Sequence, residues 1–117
     1  MVVCFVGDGD IQMGIAELGT AFQAGAKPLI LVLNNGSYGT IRMHQERDYP
    51  GRVSGTTLVN PDFTAVAQAY GFMGMKVAHT DEFAAAFDAL VAAPHGGILE
   101  LDISLEAITP TKKLSEL

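Results

Sequence analysis

"PLILVLNN" spans Pro28–Asn35, and Leu29–Leu33 are five consecutive aliphatic residues. A strand with one wet face alternates apolar and polar residues. This one does not, so both of its faces are expected under cover, as in a parallel sheet between helices. Upstream, Val2–Val6 is a second continuous apolar run and reads as another buried strand. Between the two runs, Ile11, Ile15, Leu18 and Phe22 recur at helical spacing over Ile11–Ala24, and Gly25 supplies a C-terminal stop. Downstream, the pattern predicts a helix over Tyr38–Arg47 and then a Pro-, Gly- and Ser-rich loop. A helix opening at Asn60-Pro61-Asp62 follows, with Phe63, Val66, Ala67 and Tyr70 on one face. "FMGMKVA" is a third strand, weakened by Gly74. Thr80 is expected to cap a helix that runs to Ala93 with Phe83 and Phe87 four residues apart, and "GILELDI" is a fourth strand. The order β-α-β-α-α-β-α-β makes an α/β fold on a parallel sheet with right-handed crossovers.

The chain has 117 residues, enough for one domain, with 49% hydrophobic and only 17% charged residues. That charged fraction is low for a soluble domain and leaves apolar surface for a partner. Seven basic against 13 acidic residues give a net charge of −6. No basic cluster exists, so the chain is not expected to bind nucleic acid. An acidic chain can still take a phosphorylated ligand when a divalent cation bridges the two. No apolar run reaches the ~20 residues of a membrane span, and no basic region marks a signal peptide at the N-terminus. Cys4, the only cysteine, sits in an apolar run and reads as a buried structural thiol. A cytoplasmic location follows from these expectations. The chain opens directly in a strand that reads as buried, which suggests the back portion of a larger domain.

Ligands of such sheets bind beyond the carboxyl ends of the strands. The first strand ends in Gly7-Asp8-Gly9-Asp10 and the second in Asn34-Asn35-Gly36. The 24 residues from Asp10 to Leu33 accommodate one helix and one returning strand, so Asp8 and Asn35 are expected to face a common crevice if the strands are neighbours. A carboxylate, an amide oxygen and loop carbonyls are hard oxygen donors suited to Mg²⁺ or Ca²⁺ rather than Zn²⁺. One carboxylate leaves the cation a net positive charge with which to hold phosphate. Gly9 lets backbone N–H groups approach an anion, and a helix starting near Asp10 points its positive end at the same place. Asp10 itself reads as an N-cap.

Gly7-Asp8-Gly9 followed some two dozen residues later by Asn34-Asn35 resembles the signature of thiamine-diphosphate enzymes. "AELGTAFQAGAKPLILVLNN", Tyr38-Gly39 and "NPDFTAVAQAYG" extend the likeness toward the acetolactate synthase and benzoylformate decarboxylase group. The resemblance implies a three-layer α/β/α thiamine-diphosphate-binding fold. Residues 1–109 would be its C-terminal, diphosphate-binding domain without the N-terminal part, and 110–117 a tail that resembles a closing extension. It further implies that Asp8, Asn35 and the Ser37 carbonyl hold Mg²⁺. Backbone groups around Gly7, Gly9, Asp10, Tyr38, Gly39 and Thr40 would hold the diphosphate of thiamine diphosphate. The Glu that activates the cofactor, in this family, lies in the pyrimidine-binding domain of a partner subunit, so no catalytic residue is assigned here. Glu17 reads as a structural or interface residue. The chain alone is expected to be inactive, and its parent to be a homo-oligomer, dimer or tetramer, acting on a 2-oxo acid. His44 and Gln45 lie where relatives border the substrate. His79 and His95 read as solvated, and Met43, Met73 and Met75 as core or interface filler. Two other readings stay open: a standalone module for Mg²⁺ and another phosphorylated ligand, and a non-catalytic assembly domain.

Overall fold

The computed structural model describes all 117 residues. Four parallel strands form one sheet in the order β1-β2-β4-β3: β1 is Val2–Gly7, β2 Pro28–Asn34, β3 Met73–Val77 and β4 Gly97–Asp102. β1 pairs with β2 in the register Val2 to Pro28 through Gly7 to Leu33. β2 also pairs with β4, Leu29 to Gly97 through Asn34 to Asp102. The unbroken apolar character of β2 now has its cause. Ile30 and Val32 face one apolar cluster with Ile11, Leu18, Phe63, Ala67 and Ile98, while Leu29 and Leu31 face a second with Val77, Leu90 and Leu99. Helices α1 (Asp8–Gly14), α2 (Glu17–Gln23) and α4 (Phe63–Ala69) cover the first face, and α5 (Phe83–Ala92) covers the second. Helix α3, Gly39–Asp48, buries no residue. No helix is long and apolar enough to cross a membrane.

Several local expectations need correction. The single helix over Ile11–Ala24 is two. Leu18 N–H donates to Ile15 O at 3.2 Å and Gly19 N–H to Ala16 O at 3.1 Å, three-residue bonds that tighten the chain and interrupt the four-residue ladder beside Gly14. Glu17, expected mid-helix, therefore opens α2 and is exposed. The stop at Gly25 holds: with φ +67° it donates to Phe22 O at 3.0 Å while Ala26 N–H donates to Ala21 O at 2.9 Å, a Schellman closure. Helix α1 starts at Asp8, capped by no side chain, so Asp10 lies exposed in its first turn and is not the N-cap. Asp62 caps α4, accepting from Thr64 N at 2.9 Å and Ala65 N at 3.0 Å. Thr80 does not cap α5. It opens a 3₁₀ turn, Thr80–Glu82, in which the Glu82 carboxylate accepts from Ala78 N and His79 N at 3.1 Å each.

Strand β1 is not buried. It is an edge strand, and α5 packs on β3 and β4 at the far side of the sheet, so Val2 is 70% and Phe5 68% exposed. Cys4 is exposed for the same reason, which overturns its reading as a buried thiol. Gly74, which weakens the third strand as a sequence, is required by packing. A Cβ there would meet Thr64 Cα of α4 at 2.7 Å. The last residues fold back: Leu114 is buried, and Ser115 Oγ donates to Glu106 at 2.8 Å.

Candidate functional site: a cleft at the carboxyl ends of β1 and β2

Because β1 and β2 are hydrogen-bonded neighbours, their carboxyl-terminal loops open onto one cleft of about 250 Å³. Gly7, Asp8, Gly9, Asp10, Asn35, Ser37, Tyr38, Gly39 and Thr40 all line it, so the structure brings together every residue that the sequence reading assigned to the metal and the diphosphate. Ile103, Ala107 and Ile108, from the segment after β4, form an apolar wall that the sequence reading did not assign to the site. His44 and Gln45 are not in the lining. His44 Nδ1 lies 2.9 Å from Arg47, and Gln45 clamps the following loop through Ser54 O at 2.6 Å and Thr56 Oγ1 at 3.1 Å. His79 and His95 are exposed; Met73 and Met75 pack on the second apolar cluster.

The backbone of the second loop is fixed by its own polar residues. Asn35 Oδ1 accepts from Ser37 N at 3.0 Å, an Asx turn. Gly36 holds φ +67°, and Ser37 Oγ donates to Thr56 O at 2.7 Å. These bonds deliver the chain into α3, whose first turn, like that of α1, has no side-chain cap. Two helix starts with uncapped N–H groups thus border the cleft. The glycines are close-packed. A Cβ on Gly9 would lie 2.5–2.6 Å from the Tyr38 ring, and one on Gly39 would lie 2.8 Å from Asn35 Nδ2. Gly9 is therefore needed to seat Tyr38 against α1, a requirement beyond the anion approach expected of it.

Asp8 is 2% exposed. Its Oδ2 accepts from Asn60 Nδ2 at 2.6 Å, and no donor within the chain reaches its other oxygen. No Lys, Arg or His pairs with it. No three His, Cys, Asp or Glu residues cluster anywhere in the chain, so any metal held here draws part of its protein ligands from amide or backbone oxygens. Behind Asp8 lies a polar chain. Asn60 Nδ2 also donates to Asn34 Oδ1 at 2.9 Å, Asn34 Nδ2 donates to Glu100 Oε1 at 2.7 Å, and Lys76 Nζ reaches the same Glu100 oxygen at 3.2 Å. The Glu100 carboxylate holds the Lys76 ammonium above its usual range. Asn60 and Glu100 escaped the sequence reading. Asn60 sat in a helix-start pattern, whereas Glu100 gave a usable signal: a carboxylate between leucines in the apolar middle of a strand.

Residues 1–103 match the family model described as thiamine pyrophosphate enzyme, C-terminal TPP binding domain. The chain belongs to this family. Similar relatives include the acetolactate synthase large subunit of Haemophilus influenzae, 46% identical over 82 residues, which covers 69% of this chain and 14% of that protein. The isozyme 3 large subunit of Escherichia coli is 36% identical over 107 residues, or 90% of this chain and 19% of that protein. Among solved structures, the thiamine diphosphate-dependent 4-hydroxybenzoylformate decarboxylase of Rhodococcus jostii RHA1 superposes with a TM-score of 0.81 at 32% identity. The match covers 89% of this chain and 20% of that one. The benzoylformate decarboxylase of Polynucleobacter necessarius gives 0.76 at 26% identity. The chain thus spans about a fifth or less of these proteins.

Proposed function

We propose that the cleft binds the diphosphate end of thiamine diphosphate through Mg²⁺, as part of a 2-oxo acid decarboxylase or carboligase of the acetolactate synthase kind. The observation that carries this is Asp8: a carboxylate at 2% exposure, with one neutral donor and no cationic partner, at the mouth of two uncapped helix starts. Burying a charge is costly unless it is paired or ligates a metal, and this one has no pair within the chain. Asp8, the Asn35 amide oxygen and the Ser37 carbonyl are the hard oxygens for Mg²⁺, which commonly takes one or two carboxylates plus substrate phosphates. N–H groups at Gly9, Asp10, Gly39 and Thr40 are the donors for the phosphate oxygens. The roles of the chain on this reading are to bind, orient and neutralise. Bound thiamine diphosphate supplies the nucleophilic carbon and the electron sink of 2-oxo acid chemistry.

The proton-transfer group belongs, on this reading, to the pyrimidine-binding domain of a partner subunit in a homo-oligomer, and the chain alone is inactive. Titration calorimetry of thiamine diphosphate with and without Mg²⁺, on parent and Asp8→Ala, tests the reading. Binding should require Mg²⁺ in the parent and vanish in the variant. Unchanged Mg²⁺ dependence in a folded Asp8→Ala variant would refute it.

A further inference from the structure

We infer that Asn60 is the positioning residue that presents the Asp8 carboxylate to the cation, an inference that rests on the Mg²⁺ reading above. Asn60 is 52 residues from Asp8 and stands just before the Asp62 cap of α4, so it reaches the metal side of the cleft from a separate element. Its amide is the hub of the polar chain. Nδ2 donates to Asp8 Oδ2 at 2.6 Å and to Asn34 Oδ1 at 2.9 Å, while Oδ1 accepts from Gln12 Nε2 at 2.8 Å.

The direction of these bonds is set from the far end. Glu100 is buried, and as a carboxylate it only accepts, so the Asn34 amide must turn its N–H toward it. Asn34 Oδ1 then faces the other way, accepting from Gly36 N at 3.1 Å and from Asn60. Gln12 donates to the Asn60 oxygen, so both Asn60 N–H groups are committed to Asn34 and Asp8. One carboxylate oxygen is thereby pinned, and with it the rotor that aims the other.

The chemistry of the donor fits the task. A Lys or Arg at this place would pair with Asp8 and cancel the charge a cation needs. An acceptor would repel the carboxylate. A neutral amide orients Asp8 and leaves its charge unspent. The nearby Glu100 does not compete, because Lys76 already pairs with it.

The test is Mn²⁺ binding in the presence of inorganic diphosphate, followed by electron paramagnetic resonance of free and bound Mn²⁺. The full-length parent, Asp8→Asn, Asn60→Leu and Gln12→Ala are compared, with metal-free urea unfolding run alongside. Partners that orient metal ligands are typically worth about 10–100-fold in affinity. Asn60→Leu should lose about that much and change the bound-Mn²⁺ spectrum, a readout that general destabilisation does not move. Gln12→Ala, which unlocks the Asn60 amide and gives up only a long 3.4 Å bond to the Asp8 backbone carbonyl besides, should lose a few-fold and decides the matter if Asn60→Leu fails to fold. Loss of binding in Asp8→Asn, with Mn²⁺ affinity and spectrum at the parental level in Asn60→Leu and Gln12→Ala, overturns the positioning role alone. Parental binding in Asp8→Asn, or no binding in the parent, overturns the metal reading and this inference with it.

Discussion

Two glycines of α1 should respond to alanine in opposite directions. Neither Gly9 nor Gly14 has a positive φ, so alanine fits the backbone at both, and only the surrounding space differs. A methyl group on Gly14 would meet nothing within 4 Å. Gly14→Ala should therefore gain the helix preference of alanine, about 0.5–1 kcal/mol. Gly9→Ala gains the same preference but drives its methyl to 2.5–2.6 Å from the Tyr38 ring and 3.1 Å from Leu58 Cδ1. Leu58 can give way at its tip; the Tyr38 ring is a flat wall against the helix. Overpacking of this kind costs about 1–3 kcal/mol. The difference between the two substitutions should then be about 1–3 kcal/mol, read as urea midpoints at constant m-value. Truncating Tyr38 removes the obstacle, so Gly9→Ala in a Tyr38→Ala background should behave like Gly14→Ala, with a coupling energy of about 1–3 kcal/mol. Gly9→Ala as stabilising as Gly14→Ala in the parent, or no coupling to Tyr38, would refute the close-packing account.

Asn35→Leu should weaken Mg²⁺-dependent binding more than Asn34→Ala, because Asn35 lines the cleft while Asn34 spends its amide on Gly36, Asn60 and Glu100. The reverse order in metal titrations would shift the ligand assignment by one residue. The Asp62, Glu82 and Glu106 carboxyls are held below their ordinary values: Asp62 by the Thr64 hydroxyl, Glu82 by backbone N–H groups of His79 and Ala78, and Glu106 by Ser115. Lowered carboxyl pKa values contribute stability that is present above the ordinary values of 3.8 and 4.5 and is lost as pH falls through them toward the folded-state values. Thermal midpoints should thus fall below about pH 4.5, and Asp62→Asn, which still caps but does not titrate, should flatten part of that fall. The chain by itself should show no turnover of pyruvate or benzoylformate with saturating Mg²⁺ and thiamine diphosphate, and should self-associate through the exposed edge beside Phe5. Light scattering on Phe5→Lys should show the mass fall toward monomer.

What the sequence made legible was governed by local rules. The apolar run of β2 announces cover on both faces because Leu29–Val32 alternate between two helix-backed clusters. Gly25 announces a helix end because it alone adopts the left-handed backbone at no cost. The two polar loops were legible as one crevice on the condition that the first two strands pair, which the fold meets. What stayed hidden depends on distant partners. The exposure of β1 follows from α5 lying over β3 and β4, and no property of Val2–Val6 encodes that. The break between α1 and α2 follows from a three-residue bonding pattern that helical spacing of Ile11, Ile15 and Leu18 tolerates. Asn60 acquires its meaning only when the fold sets it against a residue 52 positions away.

The cleft combines features that oppose one another toward an anion, and the opposition yields a signed prediction. The uncapped start of α3, a ten-residue helix, favours negative charge. The buried Asp8 carboxylate disfavours it, and exposed Asp10 lies in the same lining. A diphosphate entering alone meets both carboxylates; one entering with a divalent cation meets a neutralised Asp8. Two unit charges about 4 Å apart interact by about 4 kcal/mol at an effective dielectric of 20, and by about 1 kcal/mol in water. Asp8 is buried but the ligand side of the cleft is open to water, so the water limit is the floor of the effect: Asp8→Asn should remove at least about 1 kcal/mol of repulsion, or roughly five-fold. The variant should bind metal-free inorganic diphosphate at least about five-fold more tightly than the parent, while losing most of the gain that Mg²⁺ confers. Calorimetry at low ionic strength, where screening is weakest, measures both limbs. If Asp8→Asn weakens diphosphate binding equally with and without Mg²⁺, the carboxylate serves the loop rather than a cation, and the electrostatic account of the cleft is wrong.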